Sequence, residues 1–317
     1  MLVDADPNQR LEKDEYKNIL RPLEEKLSVL QHKVRAAELP VIIVFEGWSA
    51  AGKGTQIARL VNPLDPRYFD VRTTDKITEE KKMRPFLWSF WTYLPPRGQI
   101  AILEKGWHRL FLPEYREKWE LSHKEINGFF FDVNAFERQI TDDGCLLIKL
   151  FLHISKDEQV RRLKDLASDP STAWRANDAA WTQNKNYEEN VRHFEKILKQ
   201  THSDETPWHV IEANDKRFAT CKLLRIIIDE IEHALEKKNS PTDSTENFSQ
   251  IIIQNEEKKI PHTLQRILPD EEISNAEYEE ALDHYQKRMR TLSNNMYLKR
   301  RSAVIVFEGW DAAGKGG

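Results

Sequence analysis

Residues 41–54, which read VIIVFEGWSAAGKG, decide the fold of this chain. The first five residues form a short apolar run rich in β-branched side chains, which is typical of a strand buried on both faces in a parallel sheet. Gly47 and the pair Gly52-Lys53 then have the spacing of a phosphate-binding loop, G-x-x-x-x-G-K. In such a loop the glycines let the backbone wrap closely, and successive N–H groups point at phosphate oxygens.

The residues of this loop are candidate phosphate ligands. Lys53 would supply a mobile cation for terminal phosphates, and the helix that follows adds its positive N-terminal end. The alternative for Lys53 is a solvated surface lysine. The candidate phosphate-binding residues are Gly47, Ser49, Ala50, Ala51, Gly52, Lys53, Gly54 and Thr55, with Asp311 and Lys315 of a second copy.

That second copy begins near the C-terminus. Residues 44–54 read VFEGWSAAGKG and residues 306–316 read VFEGWDAAGKG, so ten of eleven positions agree at an offset of 262 residues. The same offset aligns Tyr16 with Tyr278, so the repeat includes the leading helix. A tandem duplication of one domain explains these identities. Because the chain ends at Gly317, we expect only one helix, one strand and half a loop of the second domain, a truncated start.

Strands and helices alternate along most of the chain, which predicts an α/β fold: a parallel sheet flanked by helices, with the loop after the first strand. We predict a domain at 1–236, a polar linker at 237–270 and the truncated second domain at 271–317. The predicted strands are 41–45, 68–73, 99–104, 145–154 and 208–212. The predicted helices are 16–37, the stretch after the loop to 61, 79–93, 134–141, 156–167, 187–200, 218–235 and 272–293.

The composition excludes several classes of protein. The 317 residues carry a net charge of −4, with no basic excess of the kind that a general nucleic-acid binder shows. The polar, acidic N-terminus is not a signal peptide. No apolar run approaches the roughly 18 residues needed to span a bilayer. We therefore expect a cytoplasmic protein that binds neither nucleic acid nor membranes.

Several further motifs are spread over residues 16–236. They are Phe45-Glu46-Gly47-Trp48, Leu94-Pro95-Pro96-Arg97-Gly98, Trp107, Phe136-Glu137-Arg138, residues 149–156, Gln159, Arg161-Arg162-Leu163 and Asp215-Lys216-Arg217. In these motifs the chain resembles the polyphosphate kinase 2 family. The resemblance implies the fold of P-loop kinases with a helical lid. It also implies transfer of a phosphoryl group between inorganic polyphosphate and a nucleotide, AMP or ADP, with Mg²⁺ as cofactor; a homo-oligomer stays an open alternative.

Family members with two such domains in tandem look like polyphosphate:AMP phosphotransferases, in which the second domain keeps the complete catalytic set and the first is degenerate. The departures in this chain fit that pattern. Gly54 stands where a P-loop usually has the Ser or Thr that holds Mg²⁺, and Ser49 stands where the second copy has Asp311. Ser89 replaces an expected arginine.

The segment after the third strand departs as well, because the family's Asp-Arg is Glu104-Lys105 here. The resemblance implies catalytic roles for Lys53, Glu104 and Lys105, with Glu104 as the Mg²⁺ ligand. A glutamate has a longer stem than an aspartate, and a lysine lacks the bidentate fork of arginine. The alternative for Glu104 is a structural cap or a surface acid.

Three arginines are candidates for binding anions: Arg109 near the third strand, Arg161 on a helix, and Arg175 in the predicted lid. A lid would exclude water from the phosphates. The alternative for each is ordinary surface charge, since charge runs usually form solvated helix faces.

Three hypotheses for function stay open: a phosphotransferase acting on polyphosphate and a nucleotide, a non-catalytic polyphosphate-binding or assembly domain, and an ordinary ATP-dependent nucleotide kinase. For the intact protein, the resemblance favours a polyphosphate-dependent enzyme.

Overall fold

The computed structural model describes residues 1–2, 4–74, 78–112, 123–239 and 273–308. The chain divides into two compact units, Met1–Thr242 and Asp243–Gly317. The first unit holds the sheet and the loop.

Five parallel strands form one sheet in the order β2-β3-β1-β4-β5. Strand β1 lies at the centre, and its apolar run 41–45 is buried, as the sequence predicts; the charged Glu46 is buried with it. The pairing aligns Phe45 with Glu104 of β3 and Gly47 with Leu152 of β4. The carboxyl ends of β1, β3 and β4 therefore meet at one edge of the sheet. The strands are β1 (Val41–Gly47), β2 (Phe69–Thr73), β3 (Ile100–Glu104), β4 (Leu146–His153) and β5 (Trp208–Glu212).

Helices flank this sheet and confirm the predicted α/β class. The helices of the first unit are α1 (Lys13–Ala36), α2 (Lys53–Val61), α3 (Glu79–Lys82), α4 (Trp88–Trp91), α5 (His123–Asp142), α6 (Lys156–Ser168), α7 (Asp178–Lys185), α8 (Tyr187–Gln200) and α9 (Lys216–Asn239). Helix α1 buries Leu27 and Leu30 and packs along α9, while α2 packs on β1 and β3. Within the described residues, no helix is long and apolar enough to cross a membrane.

Several predicted helices differ from the observed ones. The helix predicted at 79–93 is wrong: two short helices, α3 and α4, lie on either side of Pro85, which lacks an N–H and disfavours helical backbone before it. Helix α5 is much longer than the predicted 134–141. Helix α9 continues to Asn239, so its last residues fall inside the predicted linker, and residues 240–272 lie outside the described residues.

The second unit contains helix α10 (Asn275–Leu298). Residues 301–308, which include the repeat of strand β1, carry no strand within the described part, and Val304 is 90% exposed. A strand needs a neighbour to accept and donate its backbone hydrogen bonds. None pairs with this segment among the described residues. Asp311 and Lys315 lie outside the described residues.

Candidate functional site

The phosphate-type loop leaves the sheet at Gly47, where the backbone φ is +132°. A β-carbon on Gly47 would lie 2.2 Å from the carbonyl oxygen of Leu152 in β4. The next residue, Trp48, donates its N–H to the same oxygen at 3.3 Å. Only glycine fits this close approach of two backbones.

Helix α2 begins directly after the loop, as predicted. Gly52 precedes it with a left-handed φ of +93°, and no side chain in the described part of the chain caps its first N–H groups. Ala50 also has a left-handed φ, +61°. The loop thus wraps tightly, and the positive N-terminal end of helix α2 lies at the opening of the loop. This arrangement favours the binding of an anion.

Lys53 lies inside this loop and is 6% exposed. Its Nζ donates to the carbonyl oxygen of Trp48 at 2.8 Å and to that of Gly47 at 3.1 Å. Burial and, to a lesser extent, the charge of Arg109 lower the pKa of Lys53 to about 8, against the opposing effects of Glu46 and Glu104. The surface-lysine alternative is therefore wrong, and the ammonium is held where an arriving anion would stabilise it.

The end of strand β3 lies beside the loop. Thr73 donates its hydroxyl to Glu104 at 3.4 Å. Lys105 has a left-handed φ of +74°, and its N–H donates to Phe45 at 2.9 Å while its carbonyl accepts from the hydroxyl of Thr74. This anchored turn carries Lys105 and Gly106 across the carboxyl end of β1.

Glu46, the last side chain before Gly47, is buried and holds this turn. It accepts from the N–H of Gly106 at 2.7 Å and from Nε of Arg109 at 3.4 Å. Arg109 is largely buried, so the surface-charge alternative for this residue is wrong. Arg109 therefore lies against Glu46, and the charges of Arg109, Glu46 and Glu104 all act on the pKa of Lys53.

The other two arginine candidates lie elsewhere. Arg161 is 58% exposed and pairs with Glu158 and Asp165 on its own helix face, which fits the surface-charge alternative. Arg175 is exposed, and its guanidinium lies 5.0 Å from the centre of the Trp174 ring. Neither is brought to the loop by any contact among the described residues.

The sequence analysis did not predict that residues of helices α6 and α7 hold the loop through hydrogen bonds. The N–H of Ser49 donates to Oε1 of Gln183 in α7 at 2.8 Å, and its carbonyl accepts from Gln159 in α6 at 3.1 Å. Gln159 also donates to Gln183 at 3.0 Å. Helix α7 lies in the predicted lid region, so this contact joins that region to the loop. Ser49 therefore contacts the predicted lid region through its backbone N–H.

Trp48, Glu137 and Lys149, which belong to the motifs of the family resemblance, have structural roles. Trp48 is fully buried, stacks on Tyr187 at 4.2 Å and donates its indole N–H to His153 at 3.0 Å. Glu137 accepts from Lys149 at 2.7 Å deep in the core. A charged residue inside the apolar strand β4 is the signal that could have revealed this ion pair.

No cluster of three acidic, histidine or cysteine side chains suited to a metal occurs among the described residues. Mg²⁺ does not need one, since one or two carboxylates plus substrate phosphates and water commonly hold it. Glu104 offers a carboxylate at the carboxyl end of β3, in register with Phe45 of β1, whereas Glu46 is engaged by Gly106 and Arg109. The oxygen donors present fit a Mg²⁺ ion held by a single glutamate together with phosphate oxygens.

A parallel sheet with a glycine-bounded loop after its central strand, a buried lysine in that loop and a helix that begins directly after it define a phosphate-binding protein of the P-loop class. The chain belongs to the family described as Polyphosphate kinase 2 (PPK2), whose model matches residues 10–239 and 272–317.

Curated relatives agree with this assignment. The chain is 31% identical over its whole length to a polyphosphate:AMP phosphotransferase of Pseudomonas syringae pv. tomato, and it spans 63% of that protein. It is 28% identical to NDP-polyphosphate phosphotransferase 3 of Ruegeria pomeroyi, over 69% of this chain and 72% of that protein. The chain therefore covers less than two thirds of the first of these relatives.

Solved structures agree as well. The crystal structure of a protein assigned as a polyphosphate kinase 2 from Pseudomonas aeruginosa PA01 is similar, with a TM-score of 0.71 and 33% identity, over 75% of this chain and 52% of that one. Polyphosphate kinase 2 from Arthrobacter aurescens TC1 shares the fold, with a TM-score of 0.69 and 23% identity, over 80% of this chain and 93% of that one.

Proposed function

We propose that the protein of which this chain forms part transfers a phosphoryl group between inorganic polyphosphate and a nucleotide, AMP or ADP. The observation that supports this most directly is the buried ammonium of Lys53 inside a loop of the P-loop type. The names of the relatives supply the substrate class, and the loop supplies a place for its phosphates.

The proposed chemistry is in-line phosphoryl transfer, in which the protein mainly positions the reactants and neutralises charge. Lys53 and the N–H groups at the start of α2 would hold phosphate oxygens. Arg109 and Lys105, beside the carboxyl end of β1, would balance the negative charge that accumulates during transfer. Mg²⁺, when bound at Glu104, would neutralise charge on the phosphates.

We further propose that this domain is the weaker of two. Glu104-Lys105 and Gly54 depart from the family's usual metal and cation set, whereas Asp311 of the second copy restores an acidic side chain at the position of Ser49. The intact enzyme would then depend mainly on a second domain for turnover.

The second candidate function is a polyphosphate-binding or assembly domain without turnover. Two contacts favour it. The N–H of Ser49 is occupied by Gln183, and the carboxylate of Glu46 is occupied by Gly106 and Arg109, which leaves fewer groups for a metal-bound reaction centre. Such a domain would keep Lys53 and its affinity for polyphosphate.

A transfer assay separates these functions. The chain would be incubated with polyphosphate and AMP or ADP, with ATP as an alternative donor, and binding of polyphosphate would be measured in parallel. We expect transfer that falls about 100-fold in Lys53→Met, the scale of removing one oriented cation or donor. Lys17→Met, at a side chain that is 64% exposed, is the matched control. Binding without transfer would support the second function, and loss of neither in Lys53→Met would refute both.

The pKa of Lys53, about 8, predicts how binding depends on pH. A bound polyanion favours the ammonium form, so the lysine must take up a proton when it binds above pH 8. Affinity for tripolyphosphate should stay level below about pH 8 and fall by up to about tenfold per pH unit above it. Calorimetric titrations in buffers of different ionisation enthalpy would measure that proton uptake. In Lys53→Arg the guanidinium stays protonated, and the same slope there would contradict the assignment to Lys53.

A further inference from the structure

Arg162, next to the exposed Arg161 on α6, is 6% exposed and lies directly behind the phosphate-type loop. Its Nε donates to Glu158 at 2.6 Å. Its two terminal nitrogens each donate to two carbonyl oxygens at 2.6 to 3.1 Å. Those oxygens belong to Ala50 and Ala51 in the loop and to Ala213 and Asn214 after strand β5. A guanidinium has five N–H donors, and all five are used here.

The loop carbonyls that Arg162 holds belong to a strained segment. Ala50 has a left-handed φ of +61°, a conformation that costs an L-residue about 1–2 kcal/mol. In a trans peptide the carbonyl and the following N–H point in opposite directions. Fixing the carbonyl of Ala51 on the outer side therefore turns the N–H of Gly52 toward the loop interior, where an anion would bind.

We propose that Arg162 is a positioning residue for phosphate binding: it holds the carbonyls of Ala50 and Ala51 outward so that the N–H of Gly52 faces the ligand, while the N–H of Ala51 donates to the carbonyl of Trp48. The proposal rests on the proposed function only for the identity of the ligand. Because every donor of Arg162 is engaged with protein oxygens, this arginine acts through Ala50 and Ala51 and does not touch phosphate. It also ties the loop to the segment after β5.

The test replaces the planar guanidinium of Arg162 with the ammonium of a lysine. In Arg162→Lys one ammonium with three donors cannot reach carbonyls of both segments. We expect tripolyphosphate affinity to fall about 10- to 50-fold, and amide hydrogen exchange of residues 47–54 to rise at least about tenfold. Arg21→Lys, at an exposed arginine paired with Glu25, should change neither.

A second substitution separates positioning from a general loss of packing. Ala50→Gly removes the cost of the left-handed backbone, so the loop needs less restraint. Added to Arg162→Lys, it should restore at least about fivefold of the lost affinity. A purely structural role for Arg162 predicts no such rescue, so its absence would overturn the proposal.

The remaining outcomes are also decisive. Affinity within twofold of the wild type, with unchanged exchange of the loop in Arg162→Lys, would overturn the proposal. If the wild-type chain binds no tripolyphosphate, the proposed function fails, while the exchange comparison still decides the role of Arg162. If Arg162→Lys does not fold, Glu158→Gln is the second variant, because it removes the carboxylate that accepts from Nε of Arg162. This variant should lower tripolyphosphate affinity about two- to fivefold. Unchanged affinity in Glu158→Gln would overturn the proposal.

Discussion

Replacing Glu137 with glutamine is expected to lower the free energy of unfolding by about 3–5 kcal/mol, because it leaves the charge of Lys149 buried without its counter-ion. Lys149 is fully buried, and its Nζ lies 2.7 Å from Glu137. Glu137 also accepts from the ring nitrogens of Trp107 and His108, both at 2.8 Å. The carboxylate thus joins helix α5 to strand β4 and to the turn that carries Arg109.

Urea unfolding at neutral pH would measure this loss. Asp132→Asn, at an exposed acid on the same helix, is the matched control and should change stability by less than about 0.5 kcal/mol. A loss below about 1 kcal/mol in Glu137→Gln would show that the buried pair contributes little.

The acid dependence of stability gives an independent readout of the same carboxylate. Burial raises the pKa of Glu137, but the hydrogen bond and charge of His108 and the ammonium of Lys149 lower it to about 2 in the folded state. A folded pKa below the ordinary value of 4.5 means that the stabilisation is fully present above pH 4.5 and is lost as the pH falls toward 2. Glu137→Gln should lack this part of the acid sensitivity.

Much of the fold could be predicted from local sequence. Strand β5 at 208–212 and helix α8 at 187–200 were predicted to the residue, because each has a clear period and clear ends. The break at Pro85 could also have been read from the sequence. The full extent of α5 was missed, since the prediction covered only 134–141; the helix packs on β4 and on residues 107–111, which are distant from it in the sequence.

The loop itself could be predicted because its ligands are contiguous, but the residues that support it come together only in the folded chain. The sequence analysis selected Arg161 as an anion-binding candidate, whereas the neighbouring Arg162 is the residue that contacts the loop. A signal did exist, since Gln159, Arg162 and Leu163 lie three and four residues apart and share the buried face of α6. Gln183 carried no comparable signal, because its contact with Ser49 spans 134 residues.

These supports explain how a loop with two left-handed positions besides Gly47 is kept in one shape. Backbone strain at Ala50 persists only where surrounding contacts determine the conformation. Arg162 fixes the outer carbonyls, Gln159 and Gln183 fix Ser49, and Lys53 fixes the carbonyls of the entering strand. The loop is therefore organised before any anion arrives, which favours binding because little ordering remains to be done.

The loop begins at Gly47, and Gly47→Ala is expected to disrupt the shape of the loop most severely. The new β-carbon would lie 2.2 Å from the carbonyl oxygen and 2.8 Å from the nitrogen of Leu152, both backbone atoms of the neighbouring strand β4. It would also require a φ of +132° from an L-residue. Strain and overpacking together should lower the free energy of unfolding by about 3–5 kcal/mol.

Gly128→Ala is the control for replacing glycine in general. Gly128 lies on α5, and a β-carbon there meets no atom within 4 Å, so the substitution should stabilise the helix by about 0.5–1 kcal/mol. Denaturant unfolding and tripolyphosphate titration of both variants would be compared with the wild type. We expect Gly47→Ala to lose tripolyphosphate binding even under conditions where the variant stays folded. Strands β1 and β4 must separate to admit the methyl group, and the first residue of the loop is then displaced. If Gly47→Ala kept wild-type affinity and stability, the close approach of Gly47 to Leu152 would not set the shape of the loop.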